Sequence, residues 1–191
     1  VSSLGLFIRV ITIGSVPRRT SGRNVVKQVA ETLNTKGIYS TCRHPLYLGN
    51  FFMHFGIVML TRSWWLIPIY PILYWFYYER IMLAEEDFLI SKFGEVYLEW
   101  ANRTPAFIPR FSSWQATELS FSMRTVLRRE YSGLFAMVLS LAIVSHLTYF
   151  ARSGQFVLQT NWLIAIGSAG VIYITLRTLK RKTRLLHEAG R

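Results

Sequence analysis

Gly37-Ile38-Tyr39-Ser40-Thr41-Cys42-Arg43-His44-Pro45-Leu46-Tyr47-Leu48-Gly49-Asn50 is a polar, cationic approach that turns apolar at one residue, Pro45. Proline fixes φ and has no backbone donor, so it suits the first turn of a helix and not its interior. Arg43 and His44 are therefore expected at or just before a helix start. Leu46 to Thr61 follow with little that is polar except Asn50 and His54, which predicts a membrane-embedded helix. Any chemistry is expected where this polar approach meets the apolar helix, at the boundary between water and lipid.

Upstream, Leu4 to Val16 is apolar but shorter than the roughly 20 residues that cross a bilayer. With Val1 as first residue, it reads as a membrane helix shortened at its start, ending near Pro17. Residues 17 to 43 read as a polar loop with turns at Ser21-Gly22 and Gly37 and a short helix over 24–33. Downstream, two apolar stretches, Pro45 to Thr61 and Trp64 to Tyr78, are separated only by Arg62 and Ser63. So short a link makes them an antiparallel hairpin. Its second arm continues through Glu79 to Phe93, and Trp64, Trp65, Tyr70, Tyr74, Trp75, Tyr77 and Tyr78 mark interfacial zones. Glu79 to Arg129 is amphipathic and charged, a membrane-surface region, while Tyr131 to Phe150 and Asn161 to Leu179 have spanning length. The tail Lys180-Arg181-Lys182-Thr183-Arg184 reads as an anchor to anionic lipid headgroups. The expected architecture is all-α: a polytopic integral membrane helical bundle of about five spans, its cytoplasmic site capped by amphipathic segments. Residues 1–130 form the expected core, and 131–191 a C-terminal transmembrane helix pair with a basic tail.

A chain that is 51% hydrophobic and 15% aromatic does not read as an ordinary soluble domain. Its formal net charge of +12 raises nucleic acid as a partner, but the cations fall between apolar segments and no nucleic-acid motif accompanies them. Segments 17–43, 80–130 and 177–191 hold six, seven and six Lys or Arg, against one each at Arg62 and Arg152. The rich segments are expected to face the cytoplasm. One cysteine, Cys42, forms neither an internal disulfide nor a cysteine-based zinc site, and no metal site is expected. A neighbouring arginine favours the Cys42 thiolate, but no partner base accompanies it, so nucleophilic catalysis is not the reading. The first apolar run leads into Pro17-Arg18-Arg19 rather than a small-residue cleavage site, which argues against a cleavable signal.

Helical spacing places Tyr47, Asn50, Phe51, His54 and Val58 on one face of the first arm. On the second arm Trp75, Glu79, Met82 and Glu86 share a face, with Tyr78, Glu85 and Leu89 beside it. If the hairpin closes in register, Arg43 and His44 face Glu85 and Glu86 across a small gap. Spacing alone leaves two readings open, an interfacial charge network that holds the hairpin and a ligand site. It leaves His54 open too, between an interhelical hydrogen bond and contact with a substrate.

The run Arg43-His44-Pro45-Leu46-Tyr47-Leu48-Gly49 after Gly37-Ile38-Tyr39 resembles the RHPxYxG signature of the isoprenylcysteine carboxyl methyltransferase and phospholipid N-methyltransferase superfamily. Glu85-Glu86, Phe93-Gly94-Glu95, Tyr97, Trp100, Arg103, Pro105 and Pro109 resemble its second block. The likeness covers residues 37–110. It departs at Trp100, where a tyrosine is common, and leaves the last two spans outside. The resemblance implies a membrane methyltransferase using S-adenosylmethionine, with a membrane lipid or lipid-linked acceptor. Carried over by position, Tyr39, Arg43, His44, Tyr47, Gly49, Glu85 and Glu86 would bind the cofactor. Gly49 reads equally as a small helix-packing residue. Asn50, His54 and Tyr78 are candidates for contact with the acceptor, and Arg80, Glu86 and Arg103 for the catalytic step. An acceptor oxygen, carboxylate or phosphate, is already ionised and needs positioning; a lipid amine needs a base such as Glu85, Glu86, His44 or His54. Plentiful cations favour oxygen, with lipid amine methylation as the alternative. A non-catalytic lipid-binding scaffold is the reading from another class.

Overall fold

The computed structural model describes residues 1–17 and 30–188. The expected Ser21-Gly22 turn and most of the expected helix over 24–33 lie outside the described residues, and its last part, 30–33, is not helical. Regular structure among the described residues is helical: α1 Ser2–Gly14, α2 Pro45–Leu60, α3 Leu66–Phe93, α4 Glu95–Arg103, α5 Met123–Ser153 and α6 Thr160–Lys182, with 3-10 turns at Ile38–Ser40 and Phe111–Ser113. One isolated β-bridge joins Gly37 to Gln115.

Pro45 occupies the first turn of α2, where its missing donor costs nothing. The link from α2 to α3 is tight enough to put Arg62 at a φ of 54°, the left-handed region. The expected hairpin forms, and its arms are joined by hydroxyls as well as by apolar contact. Tyr70 donates to the Phe51 carbonyl at 2.9 Å and Tyr74 to the Tyr47 carbonyl at 2.6 Å. α3 runs unbroken to Phe93 with Pro71 inside it, carrying its charged end past the start of α2.

α1 lies against the opposite side of α2, and small residues set that distance. A Cβ on Gly5 would lie 2.4 Å from the Gly49 carbonyl oxygen, and one on Gly56 would lie 2.2 Å from Ser2 Oγ. Only glycine permits such an approach. α5 starts at Met123 rather than Tyr131, because Ser122 caps it: its hydroxyl accepts from the Thr125 amide at 3.1 Å. The Ser122 amide in turn donates to the Gly14 carbonyl at 2.8 Å, so the start of α5 sits at the end of α1. At the far end Arg152 Nη2 donates to the Arg62 carbonyl at 3.4 Å.

About five spans are expected; among the described residues two helices, α5 and α6, are long and apolar enough to cross a membrane. α1 and α2 are apolar but shorter, and α3 is interrupted by proline and charge. Only 17% of the most apolar window of α5 and 11% of that of α6 is buried within the chain. A core helix of a soluble protein would be mostly covered.

Candidate functional site

Two stretches far apart in sequence are laced together just before α2. The Arg110 amide donates to the Thr41 carbonyl at 2.9 Å, the Arg43 amide to Pro105 at 2.9 Å and the His44 amide to Ala106 at 3.1 Å. Gly37, at φ 61°, turns the chain into this lacing, and its amide reaches Gln115 at 2.8 Å. The Arg43 and His44 backbones are thereby fixed before their side chains do anything. Phe107 from the same segment packs edge-on against Phe51 and Trp75, closing the side of the hairpin.

The charged end of α3 meets this turn. His44 Nε2 lies 2.7 Å from Glu86 Oε1, and Arg43 Nε lies 2.9 Å from the same oxygen. Arg43 Nη1 also donates to the Ala101 carbonyl at 2.9 Å, in the last turn of α4, where carbonyls lack helical partners and favour a cation. Tyr47 donates to Glu85 Oε2 at 2.9 Å, and its ring stacks on His44 at 5.6 Å between centroids. The expected juxtaposition of Arg43 and His44 with Glu85 and Glu86 is therefore present. Burial alone would raise the Glu86 carboxyl, but the His44 hydrogen bond and the charges of Arg43 and His44 outweigh it and hold the group below its ordinary value.

The two carboxylates differ in access. The Glu86 side chain is 17% exposed and held through Oε1 by Arg43 and His44, whereas Glu85, which accepts from Tyr47, is 38% exposed. Tyr97 of α4, only 1% exposed, feels the charges of Glu86, Arg43 and Glu85. Its hydroxyl lies against Glu86, and the indole N–H of Trp100 is buried without a well-formed hydrogen bond. A buried donor of this kind ordinarily finds a partner, in protein or in ordered water.

The other candidates fall elsewhere. Tyr39 is half-buried in the 3-10 turn. Tyr78 stacks on Tyr74 at 4.0 Å and tilts against Tyr47 at 5.4 Å, so it borders the cluster. Gly49 faces α1, where an added Cβ would meet Arg9 Cγ at 2.5 Å, and the Asn50 side-chain oxygen accepts from Arg9 Nη1 at 2.7 Å. His54 is exposed on α2 and makes no hydrogen bond among the described residues. Arg80 is exposed; Arg103 is exposed and its Nε donates back to Glu99 of its own helix at 3.1 Å. Neither arginine joins the Glu86 cluster. Cys42 is fully buried, and burial pushes its thiol up to about 11, reversing the effect expected from Arg43. Sequence reading missed Arg9, whose signal was a lone charge inside an apolar run.

A helical hairpin whose basic entry grips the acidic exit of its partner defines a class of helical, membrane-type site. The family model for phospholipid methyltransferases matches residues 6–96. The match covers just under half of the chain, and that segment is similar to the isoprenylcysteine carboxyl methyltransferase and phospholipid methyltransferase superfamily. Among curated relatives, the cobalt-zinc-cadmium resistance protein CzcN of Cupriavidus metallidurans is 33% identical over 55% of this chain and 48% of its own. The nickel-cobalt-cadmium resistance protein NccN of Alcaligenes xylosoxydans xylosoxydans is 33% identical over 56% of this chain and 49% of its own. The protein-S-isoprenylcysteine O-methyltransferase of Mus musculus is 34% identical over 44% of this chain and 29% of its own. The chain thus spans about half the length of the first two relatives or less of the third. No solved structure matches it. Among the described residues no three His, Cys, Asp or Glu side chains are grouped to hold a metal ion.

Proposed function

We propose that this chain is a multi-pass membrane methyltransferase whose site faces the cytoplasm and takes its methyl group from S-adenosylmethionine. The observation that carries the proposal is the shared grip of Arg43 and His44 on Glu86, with Glu85 left open beside it. The donor set suits that cofactor. An outward carboxylate at Glu85 meets a sulfonium or ammonium, Arg43 and His44 offer cationic and hydrogen-bonding partners to a carboxylate, and Tyr47 offers a ring face. The buried Trp100 N–H adds a donor in want of a partner. When bound, the cofactor supplies an activated methyl group; the protein's part is to orient the acceptor and exclude water.

In this reading α1, α2, α3, α5 and α6 all cross or enter the bilayer, and residues 1–130 carry the site while 131–191 add a helix pair. The exposed apolar faces of α5 and α6 favour lipid as their surroundings. An oxygen acceptor, carboxylate or phosphate on a lipophilic chain, is favoured, because it is already ionised and needs only positioning, for which outward cations stand near the site. Relatives named as isoprenylcysteine O-methyltransferases favour the same choice. The outward Arg80 and Arg103 would serve by holding an anionic acceptor, and Tyr78 by lining its path. Lipid amine methylation is the alternative, drawn from the phospholipid methyltransferase match.

Calorimetry on the full chain in detergent tests the proposal. Saturable binding of S-adenosylmethionine is expected, weakened at least about tenfold in Glu86→Ala and His44→Ala, the loss of a charge-assisted hydrogen bond. Absence of binding by the wild-type chain favours the scaffold reading instead. Labelled cofactor with a lipid extract then separates acceptors: base-labile label means ester oxygen, stable label means nitrogen.

A further inference from the structure

Where α5 begins and α6 ends, the two helices collect cations around an aromatic floor. Tyr131 and Phe135 of α5 meet Tyr173 of α6 at centroid separations of 5.3 and 5.1 Å. Lys180 Nζ lies 5.4 Å from the Tyr131 ring, and the Arg177 guanidinium lies 5.7 Å from the Tyr173 ring while donating to its hydroxyl at 3.0 Å. Lys180 is also within the field of Arg128, Arg129 and Arg181. The acidic groups at this end are committed elsewhere, Glu130 to Arg9 and Glu188 to the Ser122 hydroxyl. Among the described residues no carboxylate pairs with Arg128, Lys180 or Arg181. Arg128, Lys180 and Arg181, like charges with no carboxylate paired to them, raise the energy of the folded surface until an anion arrives.

The chemistry of that anion is set by what flanks the cations. On the bilayer side of Arg177 and Lys180, Val171 and Ile174 of α6 are exposed at 66% and 64%. Both helices leave their apolar faces uncovered by protein. A soluble anion would use the charges and leave this apolar border bare, whereas a phospholipid uses both. We propose that the start of α5 and the end of α6 together bind the headgroup of one anionic phospholipid, its phosphate against Lys180, Arg128 and Arg181 and its acyl chains beside Val171 and Ile174. This goes beyond diffuse attraction of a basic tail to a charged leaflet, because cations of both helices and two tyrosine rings converge on one place. It rests on the membrane reading above.

The test is native mass spectrometry of the full chain in an uncharged detergent, titrated with phosphatidylglycerol or phosphatidylcholine. One phosphatidylglycerol is expected to be retained in preference to phosphatidylcholine. Its affinity should fall about 30-fold in the double variant Arg128→Gln, Lys180→Gln, at roughly a tenfold or less per cation removed. The variant Lys36→Gln, Lys92→Gln, which loses the same charge elsewhere, should bind as wild type. Equal retention of both lipids, equal loss in the two variants, or displacement by inorganic phosphate alone overturns the lipid site. Membranes washed with alkaline carbonate are read separately: release of the chain overturns the membrane reading itself, while a retained chain with indifferent lipid binding overturns only the lipid site.

Discussion

Arg9 of α1 grips Glu130 of α5 with two hydrogen bonds, Nε to Oε2 at 2.8 Å and Nη2 to Oε1 at 2.6 Å, while its third nitrogen donates to Asn50 of α2. Both charged side chains are largely buried, at 12% and 6% exposure. One planar guanidinium therefore ties the first helix, the site-bearing hairpin and the C-terminal pair together.

Cutting that tie from one side should leave an uncompensated buried charge. Arg9→Met and Glu130→Leu are each expected to destabilise the chain by about 3–5 kcal/mol, and the double variant to recover most of the loss. Thermal unfolding in detergent reads this directly. Single variants that unfold like wild type would show that the pair carries no stability.

Acidification should act through Glu86. Its folded-state value lies below the ordinary 4.5, so the stabilisation it gives is complete above that pH and is lost as pH falls through the lower folded value. Stability measured from neutral pH downward is expected to hold to about 4.5 and then decline. In Glu86→Gln the part of that decline due to this group should vanish; an unchanged acid limb would refute the assignment.

The α1–α2 contact should reject a methyl group from either side. Gly5→Ala and Gly49→Ala each place a carbon within 2.4–2.5 Å of atoms on the other helix, or of backbone that has no room to yield. A loss of about 1–3 kcal/mol is expected for each. Gly167→Ala in α6 meets nothing within 4 Å and should be neutral or gain up to about 1 kcal/mol. Unfolding midpoints that rank the three alike would contradict this packing.

Cys42 should be inert while the chain is folded. With no exposed surface and a thiol pushed up to about 11, it offers neither access nor thiolate at neutral pH. Maleimide labelling is expected only after denaturation. Rapid labelling of the native chain would mean that the segment holding Arg43 and His44 opens readily.

The local chemistry around the site was open to reading from the chain alone. Pro45 dictates where α2 starts, because φ and the missing donor are properties of one residue. The short link around Arg62 and Ser63, residues 61–65, forces the hairpin, and the hairpin brings Arg43 and His44 to Glu85 and Glu86 once both arms keep helical period. What folding alone decided is the partner of each polar group across helices distant in sequence. Asn50 lies on the expected strip with Tyr47 and His54, yet its oxygen goes to Arg9, 41 residues away. Glu130 lies among surface cations in sequence, yet it reaches Arg9 across 121 residues. Gly49 could face a ligand or a helix in sequence, and folding brings it against Gly5 and Arg9 of α1. Periodicity assigns residues to faces because it repeats every few residues. Which faces meet, and at what distance, depends on side-chain volumes and charges summed over whole helices, and that sum exists only in the assembled bundle.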